Sequence, residues 1–289
     1  MEKNIFDMRE GISVEREDSD QIIIKKNHYH NAHEIIGIQN GEAEFVINGK
    51  SYLVTADDLV VINHLENHEV KSLHHPYRRF IILIQPDYLH TVLNDARLSS
   101  LFQHRPKDFH HILSLSREEN ALFFGILEGM EIAFRLQREY MQTELAAAVQ
   151  MFFIHLYRNH PDWFPYTNVN GTIHTVSLVQ KYVDEHYLED ITLKNTAAMF
   201  YMDMYYLSHV FKKFTGFTFK DYLMLQRISK AKDALIREDA SVTEACRFSG
   251  FGNINHFIRI FKNHVGMTPY QFKRQYKTQK TLTILQNGG

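Results

Sequence analysis

One pattern occurs twice in this chain, fifty residues apart, and it constrains the fold more than any other feature. His209–Gly216 and Arg259–Gly266 both read as a basic residue, any residue, Phe-Lys, three further residues and Gly. Each copy lies in a segment with apolar residues at near-helical spacing, after a break and a shorter helical pattern with small side chains. Two helices joined by a short turn, and then repeated, are typical of a duplicated helix-turn-helix. This part of the chain is therefore predicted to be all helical.

The second copy, Ala240–Arg274, has the clearer amphipathic pattern. After the break Ser249–Gly252, a helix is predicted to begin at Asn253, with Phe257, Ile260, Phe261 and Val265 on its buried face. In the first copy, Asp203 is predicted to cap a helix over Met204–Phe214, with Leu207, Val210, Phe211 and Phe214 inside. The stretch between the copies, Phe219–Arg237, reads as one helix of about 28 Å, which approaches the ~34 Å of one DNA turn.

Charge is distributed unevenly along the 289 residues. Residues 173–289 contain 16 Lys and Arg against 10 Asp and Glu, whereas residues 1–172 contain 16 against 24. A cationic C-terminal half favours a polyanionic partner. No run of about 18 apolar residues and no secretory signal pattern is present, and Cys246 is the single cysteine. These features predict a cytoplasmic protein without a membrane partner and without disulfides.

Short apolar segments separated by turn signals dominate the first 86 residues. Strands are predicted at Gln21–Lys25, Glu34–Gln39, Ala43–Ile47, Ser51–Val54, Leu59–Ile62 and Phe80–Ile84. Asn40-Gly41 and Asn48-Gly49 are predicted hairpin turns, because Asn-Gly between apolar runs is a strong hairpin signal. Asp57-Asp58 is a further turn signal. Many short strands at regular spacing indicate an antiparallel sandwich or small barrel.

A histidine-rich motif lies within these strands. The spacing of His28, His30, Glu34 and Gly41, followed by His68, resembles the two motifs of cupins, which are jelly-roll barrels. The resemblance puts His28, His30, Glu34 and His68 at the four positions that bind a divalent metal in cupin enzymes. The second motif departs from the pattern, with Asp57 and Leu65 in place of Gly and Asn63 in place of Pro. Either these side chains bind Fe, Mn, Ni or Zn, or they line a pocket for an organic effector.

The middle of the chain is predicted to be helical from Arg117 to Asn159, with one stripe of Ile126, Met130, Ile132 and Phe134 and another of Leu145, Val149, Phe152, Phe153 and Leu156. These stripes serve either the core of the chain or a homodimer interface. The domain prediction is a cupin-like effector-sensing barrel at 1–86, a helical segment at 87–160, a linker at 161–172, a DNA-binding domain at 173–280 and a tail at 281–289. The fold class is α+β.

The C-terminal segment resembles the DNA-binding domain of the AraC/XylS family over about 100 residues. The matching positions are Tyr206–Ser208, Phe211–Lys213, Thr215-Gly216, Tyr222-Leu223, Arg227, Ala231, Gly250-Phe251, Phe257, Arg259, Phe261-Lys262 and Gly266–Pro269. The resemblance implies a transcription factor that binds double-stranded promoter DNA as a homodimer. It further implies an activator that works with RNA polymerase and responds to a small effector, with sugars a common class.

Residues for reading DNA follow from this resemblance. The first recognition helix would present Tyr205, Ser208 and His209 to bases, and the second Asn253, Asn255 and Arg259. Arginine pairs bidentately with guanine and asparagine with adenine. Phosphate contacts are expected from Lys212, Lys213, Lys262, Lys273 and Arg274. His209 stands where Arg is usual and Ile258 where a small polar residue is usual, so the bases read at these positions are not predicted.

Two other functions are compatible with these patterns. One is a cupin metalloenzyme fused to a DNA-binding tail, which only His28, His30, Glu34 and His68 support. The other is a regulator without a ligand, whose barrel dimerises or contacts another protein. A DNA-binding regulator that is not an enzyme fits the larger part of the sequence.

Overall fold

The protein is described by a computed structural model that covers residues 11–102, 105, 109–164, 171–237 and 240–274. These residues form two compact units, one ending at residue 164 and one beginning at residue 171. The predicted tail 281–289 and residues 165–170 of the predicted linker lie outside the described residues. The first four residues of the predicted linker are ordered against the first unit, where the 3₁₀ turn Pro161–Trp163 is followed by buried Phe164.

The first unit is built on one antiparallel sheet. Its order is β1-β6-β3-β5-β7, with β2 paired to β6 and β4 paired to β3. The long strands β3 and β6 pair with each other from His33↔Ile84 to Ile47↔His68. The strands are β1 (Ile12–Ser19), β2 (Ile24–His28), β3 (His33–Ile47), β4 (Lys50–Thr55), β5 (Asp58–Ile62), β6 (His68–Ile84) and β7 (Ile112–Ser114).

Of the two Asn-Gly signals, only one is a hairpin turn. Asn48 and Gly49 have φ values of 50° and 80° and connect β3 to β4, as type I′ turns require. The prediction for Asn40-Gly41 was wrong, because both residues lie inside β3, where the pairing register with β6 shifts. A Cβ on Gly41 would lie 2.7 Å from the His74 carbonyl oxygen, and its φ is 86°. Glycine here serves a bulge and a close backbone approach, not a reversal of the chain.

Other strand predictions also need correction. Glu34–Gln39 and Ala43–Ile47 are one strand, β3, and the strand predicted at Gln21–Lys25 begins three residues later, as β2. β1, β7 and the first two thirds of β6 were not predicted. β1 and β6 carry charged or histidine side chains on their outward positions, which lowers their apparent strand character although their inward positions are buried. β7 has only three residues.

The two faces of the sheet bury different partners. One face, with Val14, Ile35, Phe80 and Ile82, packs into a cluster with α3 and α4. The other, which we call the inner face, has an apolar cluster that contains Ile36, Ile38, Phe45, Ile47, Tyr52, Val70 and Tyr77. The helices of this unit are α1 (Pro86–Val92), α2 (Ala96–Ser99), α3 (Arg117–Leu136) and α4 (Met141–Asn159).

The two long helices of the first unit match the predicted helical region. Ser116 and Glu119 form a capping box that fixes the start of α3. Met130 and Phe134 of α3 and all five predicted residues of α4 are buried. Ile132 does not belong to the buried stripe, because 40% of its surface is exposed.

The second unit contains only helices among its described residues, as predicted. They are α5 (Gly171–His186), α6 (Leu193–Met199), α7 (Met204–Thr215), α8 (Phe219–Arg237), α9 (Val242–Phe248) and α10 (Ile254–Val265). The Asp203 side chain accepts hydrogen bonds from the backbone N–H groups of Tyr205 and Tyr206, which confirms its predicted role as the N-cap of α7. Asn253 caps α10 by accepting from His256 N–H.

Polar contacts tie α5 and the turn after it to α8. The buried Asp184 carboxylate accepts a 3.0 Å hydrogen bond from Tyr222 Oη and another from Gln226. Arg227 donates 2.8 Å hydrogen bonds to the carbonyl oxygens of Tyr187 and Glu189. The predicted core residues Leu207, Val210, Phe211, Phe257 and Phe261 are buried, whereas Phe214 and Val265 are only half-buried.

Candidate functional sites

The sheet brings the four predicted ligand residues together on its inner side. His28 ends β2, Glu34 is the second residue of β3, His68 begins β6 and His30 lies in the loop between β2 and β3. One ring nitrogen each of His28, His30 and His68 lies within 4.8 Å of the others. Glu34 Oε2 is 3.3 Å from His30 Nε2 and 3.1 Å from His68 Nε2.

This cluster requires the sheet to curl on itself. Glu34 pairs with Leu83 of β6, while His68 lies at the other end of the same strand, where it pairs with Ile47. Fifteen residues of flat strand would separate the two positions by about 50 Å. Because the two side chains are in contact, the strands bend round until both ends of β6 approach one site, as in a barrel.

Backbone carbonyl groups orient all three imidazoles in the same way. The Nδ1 atoms of His28, His30 and His68 lie 2.8, 3.0 and 3.0 Å from the carbonyl oxygens of Lys26, Ala32 and Glu66, respectively. A carbonyl oxygen only accepts, so each Nδ1 carries a hydrogen, and Nε2 is the nitrogen that donates when it is protonated and offers a lone pair when it is not. With Nε2 unprotonated, this is the tautomer in which a metal-binding histidine is usually held.

Burial and neighbouring groups shift the pKa values of His28 and Glu34 in this cluster. Burial lowers the pKa of His28 well below the usual range, since the imidazolium is poorly solvated there and His68 and His30 lie close by. Burial alone would raise the pKa of Glu34, but hydrogen bonds and positive charge from His30 and His68 hold it well below its usual range. A neutral imidazole beside an ionised carboxylate is the form that binds a divalent cation.

The departures from the cupin motif leave its backbone conformation intact. Asp57 and Leu65 stand where the motif has glycine, and both have left-handed φ values of 72° and 62°. Asp57 N–H donates to Ile38 O and Leu65 N–H donates to His30 O, each at 2.9 Å. The loop that holds His30 next to His68 is therefore built as the motif requires, and three His with one Glu fit Fe, Mn, Ni or Zn with positions left for a ligand.

A second polar group on the inner face, around Arg79, was not among the predicted site residues. Arg79 of β6 is 1% exposed and pairs across the sheet with Glu17 of β1. Its Nε and Nη2 lie 2.7 and 2.6 Å from Glu17 Oε2, and Lys25 Nζ lies 3.9 Å from the same oxygen. Tyr77, Arg79 and Ile81 alternate on one side of β6, so the arginine faces inward, but the predicted strand began only at Phe80 and did not include Arg79.

The two predicted recognition helices carry their predicted side chains on open surfaces. Tyr205 and His209 of α7 and Asn255 and Arg259 of α10 are exposed, and Ser208 is half-buried. Asn253 is exposed, but its Oδ1 is occupied by the cap of α10. Of the predicted phosphate contacts, Lys212, Lys213, Lys262 and Arg274 are exposed, whereas Lys273 Nζ donates to the Ala240 carbonyl oxygen at 2.8 Å.

Two family models match the chain, and together they cover both units. The AraC-like ligand binding domain matches residues 11–147 and the helix-turn-helix domain matches residues 196–275. The chain belongs to the AraC family of transcriptional regulators. None of the described helices is long and apolar enough to span a membrane.

Similar proteins are found in several bacteria. An uncharacterised helix-turn-helix regulator of Escherichia coli K12, YijO, is 35% identical over 103 residues, which is 36% of each chain. The match therefore spans about a third of that relative's length. The transcriptional activator RhaS of Enterobacter sp. strain 638 is 22% identical over 86% of this chain and 87% of its own. Apo ToxT K231A of Vibrio cholerae has the same fold, with a TM-score of 0.61 and 13% identity over 92% of this chain and 97% of that chain.

Proposed function

We propose that this AraC-family protein is a DNA-binding transcription regulator controlled by a small effector bound at the inner face of its first unit. The observation that carries the proposal is the presence, in one chain, of two complete helix-turn-helix motifs and of a ligand-binding domain with a buried polar site. The relative RhaS is named as an activator, which supports activation, and hence a contact with RNA polymerase, in this protein too. Under this proposal the chain is not an enzyme.

The second helix-turn-helix, which contains α9 and α10, is proposed to provide at least half of the base discrimination. The exposed Arg259 of α10 suits bidentate pairing with guanine, and Asn255 suits adenine. On α7, the side chains proposed to contact bases are Tyr205, Ser208 and His209. Lys212, Lys213, Lys262 and Arg274 are proposed to bind phosphates. Asn253 and Lys273 are weaker candidates for direct contact, because each already has an intramolecular hydrogen bond.

Arg259→Ala tests this assignment. Binding of the full chain to promoter fragments from its own and neighbouring genes is measured by fluorescence anisotropy, with each base pair of the protected site substituted in turn. Arg259→Ala is expected to cost about 1–3 kcal/mol and to abolish discrimination at one base pair. Lys262→Ala is the matched control on the same helix. It should weaken all sequences alike and reduce the salt slope by about one. An equal loss on every sequence for Arg259→Ala would contradict base reading.

We further propose that His28, His30, Glu34 and His68 bind a divalent metal ion that helps to hold the effector. The support is the convergence of these side chains and the fixed tautomer of all three imidazoles. A bound ion would act as a Lewis acid that orients an oxygen ligand. Elemental analysis of protein loaded with Zn, Fe, Mn or Ni should give one ion per chain. His68→Ala should remove it, and the exposed His74→Ala should not. Absence of metal from the loaded wild-type protein excludes this proposal.

Homodimerisation is proposed through the segment 87–160. Exposed apolar side chains on its helices support this, namely Ile132, Leu136 and Met151. Ile132 and Leu136 are four residues apart on α3 and therefore share one face. Light scattering of the full chain should show a dimer that Ile132→Glu dissociates and that the control Glu69→Gln, at an exposed position of β6 outside this segment, leaves intact. A monomeric wild-type protein, or a dimer unaffected by Ile132→Glu, would contradict this interface.

A further inference from the structure

The turn between β5 and β6, residues 63–67, holds two members of the histidine cluster through its main chain. Leu65 N–H donates to the carbonyl oxygen of His30 at 2.9 Å, and the carbonyl oxygen of Glu66 accepts from Nδ1 of His68 at 3.0 Å. Leu65 does so at a left-handed φ of 62°, which a leucine adopts only where its surroundings impose it. The orientation of both imidazoles therefore depends on the groups that keep this turn in shape.

The side chain of Glu66 is held on both of its oxygens. Its Oε2 accepts from the backbone N–H of Asn63 at 2.6 Å and from Nη1 of Arg105 at 3.0 Å. Its Oε1 accepts from Nδ2 of Asn48 at 3.2 Å and lies 3.3 Å from Nε2 of His111. The carboxylate and the guanidinium are both buried, with 13% and 8% of their side chains exposed. These contacts fix the side chain and, with it, the turn.

Arg105 extends the contacts of the turn toward the helices. It lies in the connection between α2 and β7, and its guanidinium carbon is 4.3 Å from the centroid of the Phe109 ring and 5.5 Å from that of Phe102. The Phe102 ring is 5.7 Å from the Phe153 ring of α4, and its carbonyl oxygen accepts from Nδ2 of Asn63 at 2.8 Å. The turn is thus tied to aromatic side chains that pack on α4.

Stability alone does not require an ion pair at this place. Apolar residues of similar volume are often as stabilising as a buried pair of charges, because burial removes both charges from water. An ion pair with hydrogen bonds on both carboxylate oxygens adds a defined direction that apolar packing lacks. Here the direction is that of the main chain at Glu66, two residues before His68.

We propose that Glu66 is a positioning residue of the histidine cluster. It keeps the turn in the conformation that orients His30 and His68, and through Arg105 it makes occupancy of the cluster and the packing of Phe102 on α4 depend on each other. The inference rests on the proposed metal site, and it provides a route by which a bound ion influences the helices of the first unit.

Replacement of the ion pair tests this in the full chain, with Zn²⁺ alone as the probe. Glu66→Gln keeps the shape of the side chain but places an amide NH₂ against donors. Glu66→Gln combined with Arg105→Met leaves neither charge of the pair buried without its partner, so the double variant keeps the test decisive where the single one does not fold. In calorimetric titrations, both variants are expected to bind Zn²⁺ about ten- to a hundredfold more weakly than wild type, as is typical when groups that orient metal ligands are replaced.

Asp58→Asn is the matched control. Asp58 is a buried carboxylate of the same sheet, where it accepts from the Thr55 N–H at 2.8 Å and from Ser114 Oγ. It begins β5, whereas the turn follows the last residue of that strand. The control should lower Tm and leave the affinity for Zn²⁺ unchanged. A variant that acted only through loss of stability would behave like this control.

Hydrogen exchange at saturating Zn²⁺ measures the dependence in the opposite direction, because coupling between two sites is reciprocal. In the wild-type protein, Zn²⁺ should slow exchange in peptides that contain His28 and His30 and also in peptides that contain Phe102 or His111. In the double variant at saturating Zn²⁺, only the peptides with His28 and His30 should be protected.

Three outcomes overturn the inference. The variants could bind Zn²⁺ as tightly as wild type, or Zn²⁺ could protect the Phe102 and His111 peptides equally in wild type and in the double variant. Both results leave the proposed metal site standing. Absence of Zn²⁺ binding by the wild-type protein would remove the inference and the Zn²⁺ site together, so the two failures are distinguished by the wild-type titration.

Discussion

The turn of the first helix-turn-helix unit places Tyr201 in the left-handed region at φ 53°, and the turn of the second places Gly250 there at φ 77°. The backbone hydrogen bonds around the two turns correspond. Met202 N–H donates to Ala197 O at 2.8 Å in the first, and Phe251 N–H donates to Cys246 O at 3.0 Å in the second. Both recognition helices then span twelve residues and end at a left-handed glycine, Gly216 or Gly266.

The side chains at the two turns meet different surroundings. Tyr201 is 99% exposed, whereas a Cβ on Gly250 would lie 2.8 Å from Tyr187 O and 3.0 Å from Leu188 Cα. The second turn is therefore packed on the connection after α5, which Arg227 also holds. The two helix-turn-helix motifs therefore share one backbone conformation. Which side chain each turn position tolerates depends on what packs against it. The residue type at a turn is thus determined by packing, whereas the exposed residues of a recognition helix are available to select the DNA sequence.

Gly250→Ala is expected to have the largest effect among substitutions in the two turns. The left-handed backbone costs a Cβ about 1–2 kcal/mol, and the contact with Tyr187 adds to this, so we expect a loss of at least about 2 kcal/mol. Hydrogen exchange of residues 171–274 in the full chain measures the loss. Gly252→Ala is the control and should change the stability little, because no atom lies within 4 Å of the added Cβ. Tyr201→Gly should not destabilise the first helix-turn-helix through loss of packing, because Tyr201 is exposed. A neutral Gly250→Ala would show that the two turns are equivalent.

His209→Arg is expected to make the first helix-turn-helix bind bases more like the second one. His209 and Arg259 occupy the same position of the repeat, and arginine adds a bidentate pairing with guanine worth about 1–3 kcal/mol. Selection of binding sites from a random DNA library should show a new preference for guanine at one position of the first half-site. Lys213→Arg serves as the control, because it should alter affinity without altering the preferred sequence. An unchanged preference for His209→Arg would mean that this position does not face a base.

The caps of the recognition helices separate stability from DNA binding. Asp203→Ala and Asn253→Ala each remove a side-chain acceptor at a helix N-terminus, and each should cost about 1 kcal/mol of stability. Only Asn253 is also a candidate for a base contact, so its substitution should reduce DNA affinity more than Asp203→Ala does. Thermal unfolding and anisotropy titrations of the same samples measure both quantities. Equal affinity losses would assign Asn253 to capping alone.

The smallest effect is expected from lowering the pH, which weakens the capping box that Ser241 and Glu244 form at the start of α9. Hydrogen bonds from the Ser241 side chain and backbone lower the pKa of Glu244 below 4.5, and α6 has Thr192 as its cap without an acidic partner. Since the folded-state pKa is lowered, the capping box stabilises α9 above pH 4.5 and is lost as the pH falls through the folded value. Amide exchange of α9, corrected for intrinsic rates, should therefore rise more than that of α6 below pH 4.5. Glu244→Gln should remove the difference, and an equal rise in both helices would contradict it.

The helical half of the chain was predictable because its signals are local. Asp203 and Asn253 as helix starts, and the apolar residues three and four positions apart in α7, α8 and α10, all depend on neighbours within a few residues. The sheet was harder. Asn40-Gly41 has the sequence of a hairpin turn but lies in a bulge, since its conformation is decided by residues more than thirty positions later in β6.

The candidate sites divide in the same way. His28, His30, Glu34 and His68 could be selected because the spacing of a known motif contains them. Arg79 could not be selected by motif, because its importance comes from a pairing with Glu17, sixty-two residues earlier, that only the sheet creates. Local patterns identify residues that act within one element, whereas residues that acquire a partner across a sheet need the register.

The pairing of β1 with β6 also determines how the first unit reaches its folded state. Ile12 bonds opposite Ile84, so the ladder closes only after more than seventy residues of intervening chain have emerged from the ribosome. Glu34 likewise cannot meet His68 until β6 has been synthesised. The helical unit depends on contacts between elements that are neighbours in the chain and should fold faster once it is complete. The proposed effector site is consequently slow to assemble although it is encoded first, and the sheet unit that contains it is more exposed to misfolding during synthesis than the helical unit.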